Sequence, residues 1–153
     1  MDPEQDMAET VLGIVKLDGR RAEPCVFKRA CDKARVTFQC ESMQSAGEGI
    51  QYLNGAGAFR NRKRFPLPAL VVVDLDLDGG DGRRILSWIR SEPQFRYLPV
   101  VVLSGSKSQY DMKRAYDRGA TSYLLKPRNF RATVEIVKLI DRYWLTLNRT
   151  PAP

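Results

Sequence analysis

The chain is predicted to be an α/β domain on a parallel sheet, and three observations carry the prediction. Short apolar runs alternate with helical patterns from one end to the other, about five strand–helix units in all. The run Ala69-Leu70-Val71-Val72-Val73, rich in β-branched residues and flanked by Pro68 and by glycines, has the composition of a strand buried on both faces. Three runs also stop at chemically capable side chains. The central run ends in Asp74; Leu98-Pro99-Val100-Val101-Val102-Leu103 ends in Ser104; Ser122-Tyr123-Leu124-Leu125 ends in Lys126, with Pro127 directly after it. In open parallel sheets the carboxyl edge of the strands is where ligands bind.

The elements follow in order. Strand one is expected at 14–17, with Val11 and Leu12 just before it, and helix one at 24–34, where Pro24 suits a first turn. Val36-Thr37-Phe38-Gln39-Cys40 alternates and predicts strand two. Ala46, Ile50 and Leu53 have helical spacing and predict helix two, which Asn54-Gly55 stops. A Gly-, Arg- and Pro-rich loop over 55–68 leads into strand three. Helix three is expected at 82–91, buried through Ile85, Leu86 and Ile89, and strand four at 99–103. Helix four is expected at 108–118, stopped by Gly119. Strand five follows at 122–125. A last helix over about 129–147 carries the stripe Phe130, Val134, Val137, Ile140, Trp144. Parallel neighbours joined by helices require a sheet covered on both faces.

At 153 residues and 43% hydrophobic, the chain fits one domain with a sizeable core, expected at 10–148 between a flexible acidic 1–9 and a loose tail at 149–153. No apolar stretch approaches a membrane span and the first residues are acidic, so neither a secretory signal nor a membrane partner is expected, and the location is expected to be cytoplasmic. Histidine is absent, which excludes imidazole chemistry on this chain. Cys25, Cys31 and Cys40 have no metal-ligand spacing and are expected to be small buried hydrophobes. The net charge of +7 is partly concentrated in Arg60-Asn61-Arg62-Lys63-Arg64. Charge alone is not a nucleic-acid motif, no other recognition pattern supports one, and the loop is expected to be solvated.

The stretches 71–82, 98–106 and 115–127 resemble the receiver domain of two-component response regulators, and the likeness runs over nearly the whole chain. The basic loop before strand three and the ending Tyr143-Trp144-Leu145-Thr146-Leu147 are similar to stand-alone regulators that partner bacterial phytochromes. The resemblance implies a flavodoxin-like (βα)5 fold with strand order 2-1-3-4-5. It implies that Asp74 is the phosphoacceptor, fed by a histidine kinase, with Lys126 pairing first to Asp74 and then to the phosphoryl oxygens. Ser104 would donate to a phosphoryl oxygen and move toward it, and Tyr123 would be the switch aromatic whose ring turns inward. It also implies a cis Lys126–Pro127 peptide, and Mg²⁺ held by Asp74, by the backbone carbonyl of Asp76, and by two adjacent acids ending strand one. Asp78 is read as turn chemistry with Gly79 and Gly80.

Strand one departs from that pattern, reading Ile14-Val15-Lys16-Leu17-Asp18-Gly19-Arg20-Arg21. Matching the following helix puts Asp18 and Gly19 at the acidic pair; matching the upstream apolar run puts Lys16 and Leu17 there. The first register is preferred, and in either the pair is incomplete, so Mg²⁺ would be held weakly or not at all. Arg20 or Arg21 could replace some of its charge, though not its octahedral geometry.

Two functions remain, together with a third of another class. The chain is a single-domain, non-enzymatic response regulator signalling through a partner protein or through a dimer face near Ile136, Leu139 and Tyr143; or it is a pseudo-receiver, an interaction module independent of phosphorylation. The third reading, an acidic-surface or nucleic-acid binder using the 60–64 loop, has only charge behind it.

Overall fold

The computed structural model describes residues 10–14, 26–76 and 80–151. Strand β1 is Thr10–Ile14, followed by α1 (Val26–Ala34), β2 (Gln39–Met43) and α2 (Ala46–Asn54). Then come β3 (Leu70–Asp74), α3 (Asp81–Ser91), β4 (Val100–Ser104), α4 (Gln109–Asp117), β5 (Ser122–Leu125) and α5 (Phe130–Arg142). All neighbouring strands pair in parallel, and the sheet order is β2-β1-β3-β4-β5, the order the resemblance implies.

Residue alternation along β3 and β4 builds two cores, one on each face of the sheet. Val71, Val73, Val100 and Val102 pack with Tyr52, Leu53, Ile85, Leu86 and Ile89 of α2 and α3. Leu70, Val72, Val101 and Leu103 pack on the other face with Phe27 and Ala30 of α1 and Val134, Val137 and Ile140 of α5. Every residue of β3 and β4 is buried, which is why both strands are uninterrupted apolar runs.

Two strands differ from expectation. The first covers Thr10–Ile14, where Val11 to Ile14 pair with Leu70 to Val73 and the fully buried Val11 enters the core; of the expected 14–17 only Ile14 is among the described residues. The second begins at Gln39. Val36 to Phe38 form the approach, where Arg35 in the left-handed region ends α1 and Thr37 donates from its N–H and hydroxyl to Asp141 of α5. The alternation of Phe38 and Cys40 marked burial, not the start of the ladder. Past Arg142, α5 widens into a π turn over Tyr143–Leu147.

The basic loop is only partly a solvated patch. Arg62 points back at α2, donating to the carbonyls of Tyr52 and Leu53 at 2.7 Å each and to Phe65 O at 3.2 Å. The guanidinium thereby adds donors to the carbonyls at the helix end, that of Tyr52 also accepting the Gly55 N–H. Gly55 supplies the left-handed residue there (φ 63°), and a side chain on it would meet that same guanidinium. Arg64 lies over the Phe65 ring, and Arg60 and Lys63 remain exposed. Cys31 and Cys40 are buried free thiols, and Cys40 is held far above the ordinary thiol range by its contact with Cys31 and by burial; Cys25 lies outside the described residues. Among the described residues no helix is long and apolar enough to cross a membrane.

Candidate functional site

Parallel pairing aligns the strand ends. Asp74 sits opposite Leu103 and Ser104 opposite Leu125, so residues 74, 104 and 126 meet at one rim of the sheet. Lys126 N–H donates to Ser104 O at 2.9 Å, fixing the start of the lysine stem beside β4. Its ammonium lies 2.9 Å from Asp74 Oδ2 and 3.1 Å from Asp76 Oδ2. It reaches both carboxylates with a trans Lys126–Pro127 bond, since no peptide among the described residues is cis, contrary to what the resemblance implied.

Asp74 is fully buried. Its Oδ1 accepts the Asp76 N–H at 2.8 Å, whereas Oδ2 faces Lys126 as an ion pair without an aligned hydrogen bond. Burial pushes the Asp74 carboxyl above the usual carboxylate range, against the opposing pull of Lys126 and the Asp76 N–H. Burial alone would lower Lys126, but the two carboxylates outweigh it and raise the ammonium. The result is a desolvated carboxylate with Lys126 as the one cation in contact among the described residues.

Ser104, also buried, accepts the Ser106 N–H at 3.1 Å through its hydroxyl oxygen. The loop after β4 is ordered by further bonds: Ser106 Oγ donates to Asp111 Oδ2 at 2.6 Å, and the half-buried Tyr123 donates from its hydroxyl to Ser106 O at 2.8 Å. Tyr123 packs against the α2/α3 core, so ring, loop and strand-end hydroxyl form one connected unit.

The side chain of Asp76 is the site residue the sequence reading passed over, since only its carbonyl was assigned a role. Its Oδ2 accepts the Gly105 N–H at 2.9 Å while touching Lys126. Burial would raise this carboxyl, but Gly105, Lys126 and the Ser104 hydroxyl together hold it below the usual range. The Asp-Leu-Asp spacing was the available signal, because residues two apart share a face while the chain stays extended.

Gly82 is a second unforeseen residue. A Cβ there would run into the Asp74 carbonyl and approach Leu75 Cα to 2.8 Å, so α3 can start against the end of β3 only without a side chain. Gly82→Ala is expected to cost at least about 1–3 kcal/mol in urea unfolding, as overpacking against rigid backbone does; an unchanged midpoint would contradict that close approach.

Asp18, Gly19, Arg20 and Arg21, with Lys16 and Leu17 of the other register, and Asp78 with Gly79, all lie outside the described residues. What is described is that Ile14 lies opposite Val73, one position short of Asp74, and that the sequence then runs Val15-Lys16-Leu17 before reaching Asp18. Among the described residues no group of three or more Asp, Glu, Cys or His side chains converges to hold a metal.

Residues 28–138 match the response regulator receiver domain family. The chain is 34% identical over 147 residues to the probable methanogenesis regulatory protein FilR2 of Methanothrix harundinacea, covering 95% of this chain and 92% of FilR2. Its structure is similar to that of the response regulator RPA3017 in red light signalling of R. palustris, with TM-score 0.82, 26% identity, and coverage of 95% of this chain and 99% of that one. It is also similar to the phosphorylated cyanobacterial phytochrome response regulator RcpA, with TM-score 0.78, 28% identity and the same coverage. A parallel five-stranded sheet in the order 2-1-3-4-5 and a family match spanning most of the chain lead to one assignment: the chain belongs to the response regulator receiver domain family and is related to the phytochrome response regulators.

Proposed function

We propose that the protein accepts a phosphoryl group on Asp74 from a histidine kinase and passes the signal to a protein partner. The observation that carries this reading is a wholly buried carboxylate in contact with an ammonium at 2.9 Å, beside a buried strand-end hydroxyl. In the transfer, an Asp74 oxygen forms a P–O bond as the donor's P–N bond, or P–O bond of an acyl phosphate, breaks. The bonding pair leaves with the imidazole or the carboxylate. Lys126 neutralises charge on the incoming oxyanion, and Ser104 can rotate its hydroxyl toward it.

Mg²⁺ would supply further neutralisation. The donors among the described residues, the Asp74 carboxylate and the Asp76 carbonyl, fall short of an ion site by themselves, so Lys126 supplies the cationic charge the described chain brings to the reaction. The signal would leave through β5, α5 and the turn after it, where Leu125, Leu139, Tyr143 and Leu147 are exposed and offer a face to a partner or a second copy.

A second reading, an interaction module that works without phosphate, is favoured by the register of β1, where the sequence following Ile14 brings Val15, Lys16 and Leu17 before any acid. Incubation with acetyl phosphate, with and without Mg²⁺, followed by intact mass, separates the two. A phosphate adduct is expected; its absence at saturating donor would leave the interaction module.

A further inference from the structure

The opposite rim of the sheet, where the strands begin, holds a groove that the chemistry at Asp74 does not use. Leu67, Pro68, Phe95, Tyr97 and Leu98, from the segments leading into β3 and β4, line a cavity of about 430 Å³. Small-molecule sites occupy about 300–1,000 Å³ and are mostly apolar, with a few polar groups that fix orientation. The walls are held in place by the fold itself. Ala69 N–H donates to Thr10 O at 2.8 Å, Val71 N–H to Pro99 O at 3.0 Å, and the Tyr52 hydroxyl to Pro66 O at 2.8 Å. Leu98 N–H and the Arg90 guanidinium both donate to Phe95 O, each at 3.1 Å. A groove ordered in this way costs a ligand little to enter.

Two polar groups of the groove stand without the partners their chemistry calls for. Thr10 is 2% exposed, its carbonyl is taken by Ala69, and its hydroxyl has no hydrogen-bond partner among the described residues. A buried hydroxyl in that condition is costly, and a polar atom brought by a ligand removes the cost. Arg96, at the exposed side, stacks its guanidinium 5.1 Å from the centroid of the Tyr97 ring, and no acid of the described residues forms an ion pair with it. A guanidinium laid over a ring keeps its N–H fork for an incoming carboxylate. Tyr97 is itself 55% exposed, a large aromatic face open to the groove's occupant.

We propose that this groove binds a small hydroxyaryl carboxylic acid. Its flat apolar body lies against Leu67, Phe95, Tyr97 and Leu98, its carboxylate meets Arg96, and its hydroxyl pairs with that of Thr10. The ligand needs both ends, because the groove offers a buried hydroxyl and an exposed cation with apolar surface between them. Thr150 and Pro151 complete the lining, which brings the chain beyond α5 and its π turn to the same site.

The test follows the amide NMR signals of Leu67, Ala69, Tyr97 and Leu98 in the full chain during titration with three probes. These are 4-hydroxycinnamate, cinnamate, which lacks the hydroxyl, and 4-hydroxycinnamyl alcohol, which lacks the carboxylate. Wild type is expected to bind 4-hydroxycinnamate with saturable shifts at these residues. Replacing the carboxylate by the alcohol, or Arg96 by Gln, should weaken binding about tenfold or more. The hydroxyl should add about threefold to tenfold, a preference that Thr10→Val erases. Thr10→Val should unfold at an equal or higher urea concentration, since it removes a buried hydroxyl that has no partner; a lower midpoint would mean the hydroxyl is already satisfied, and would overturn its role. Equal affinity for all three probes, or shifts that survive Tyr97→Ala unchanged, would overturn the proposal, as would no saturable shift with any probe. The same shifts on raising protein concentration without ligand would give the groove to a second copy and overturn it too.

Discussion

Asp74→Asn is expected to abolish the phosphate adduct and at the same time to stabilise the protein by about 1–3 kcal/mol in urea unfolding at pH 7. The loss follows because the amide oxygen carries no charge to attack phosphorus. The gain follows from burial: Asp74 is fully inaccessible, and its carboxyl is raised above the ordinary range, so its ionised form opposes folding. The sign is fixed by that direction. A raised carboxyl binds its proton more tightly when folded, so the folded state loses stability as pH climbs from about 4 through the folded value. The advantage of the asparagine should be present at pH 7 and shrink toward pH 4, where both side chains are neutral. Asparagine keeps an oxygen for the Asp76 N–H, and Lys126 keeps Asp76 as its partner. An adduct that survives the substitution would move the acceptor elsewhere, and a stability loss would mean the pair is worth more than its desolvation.

Lys126→Met should have the opposite effect on the fold. It strips the counter-charge from a carboxylate with no access to water, and breaking such a buried pair costs about 3–5 kcal/mol. Asp74 can escape part of this by taking up a proton, so the deficit should be small near pH 4.5 and grow toward pH 8. Lys126 itself is raised in the folded protein, so what it contributes to wild type is complete below its unfolded value near 10.4 and is lost only as pH rises through the higher folded one. The gap between wild type and variant therefore widens from pH 4.5 toward pH 8 and closes only above the lysine's unfolded value. Urea unfolding at pH 4.5, 7 and 8.5 measures it; a gap that does not change with pH would show that the methionine acts through packing. Phosphate uptake should also fall, because the described residues offer no other cation in contact with Asp74.

The parallel α/β class, the sheet order by resemblance, and the identity of residues 74, 104 and 126 were legible in the sequence because doubly buried strands leave continuous apolar runs. A polar residue ending such a run stands out against it. The strand limits at the β2–β1 side of the sheet were less legible. Strand β1 lies on Thr10–Ile14 and β2 begins at Gln39, since short alternating segments report which side chains are buried without reporting which backbone groups join the ladder. Arg62 likewise belonged to a charge run on the page and to a helix cap in the fold, a distinction made by carbonyls nine and ten residues away in the chain.

Composition and spacing by themselves determined the parallel α/β scaffold and the three polar residues at its strand ends. Only the tertiary structure decided how those ends are occupied at rest, drawing Asp76 onto Lys126 and Gly105 and pressing α3 against Asp74 at Gly82. The reason is physical: apolar periodicity is a local property that survives in a linear string, whereas an ion pair shared between two carboxylates depends on distances of a few ångströms between residues at the ends of β3 and β5, strands that are brought to either side of β4 only once the sheet has formed.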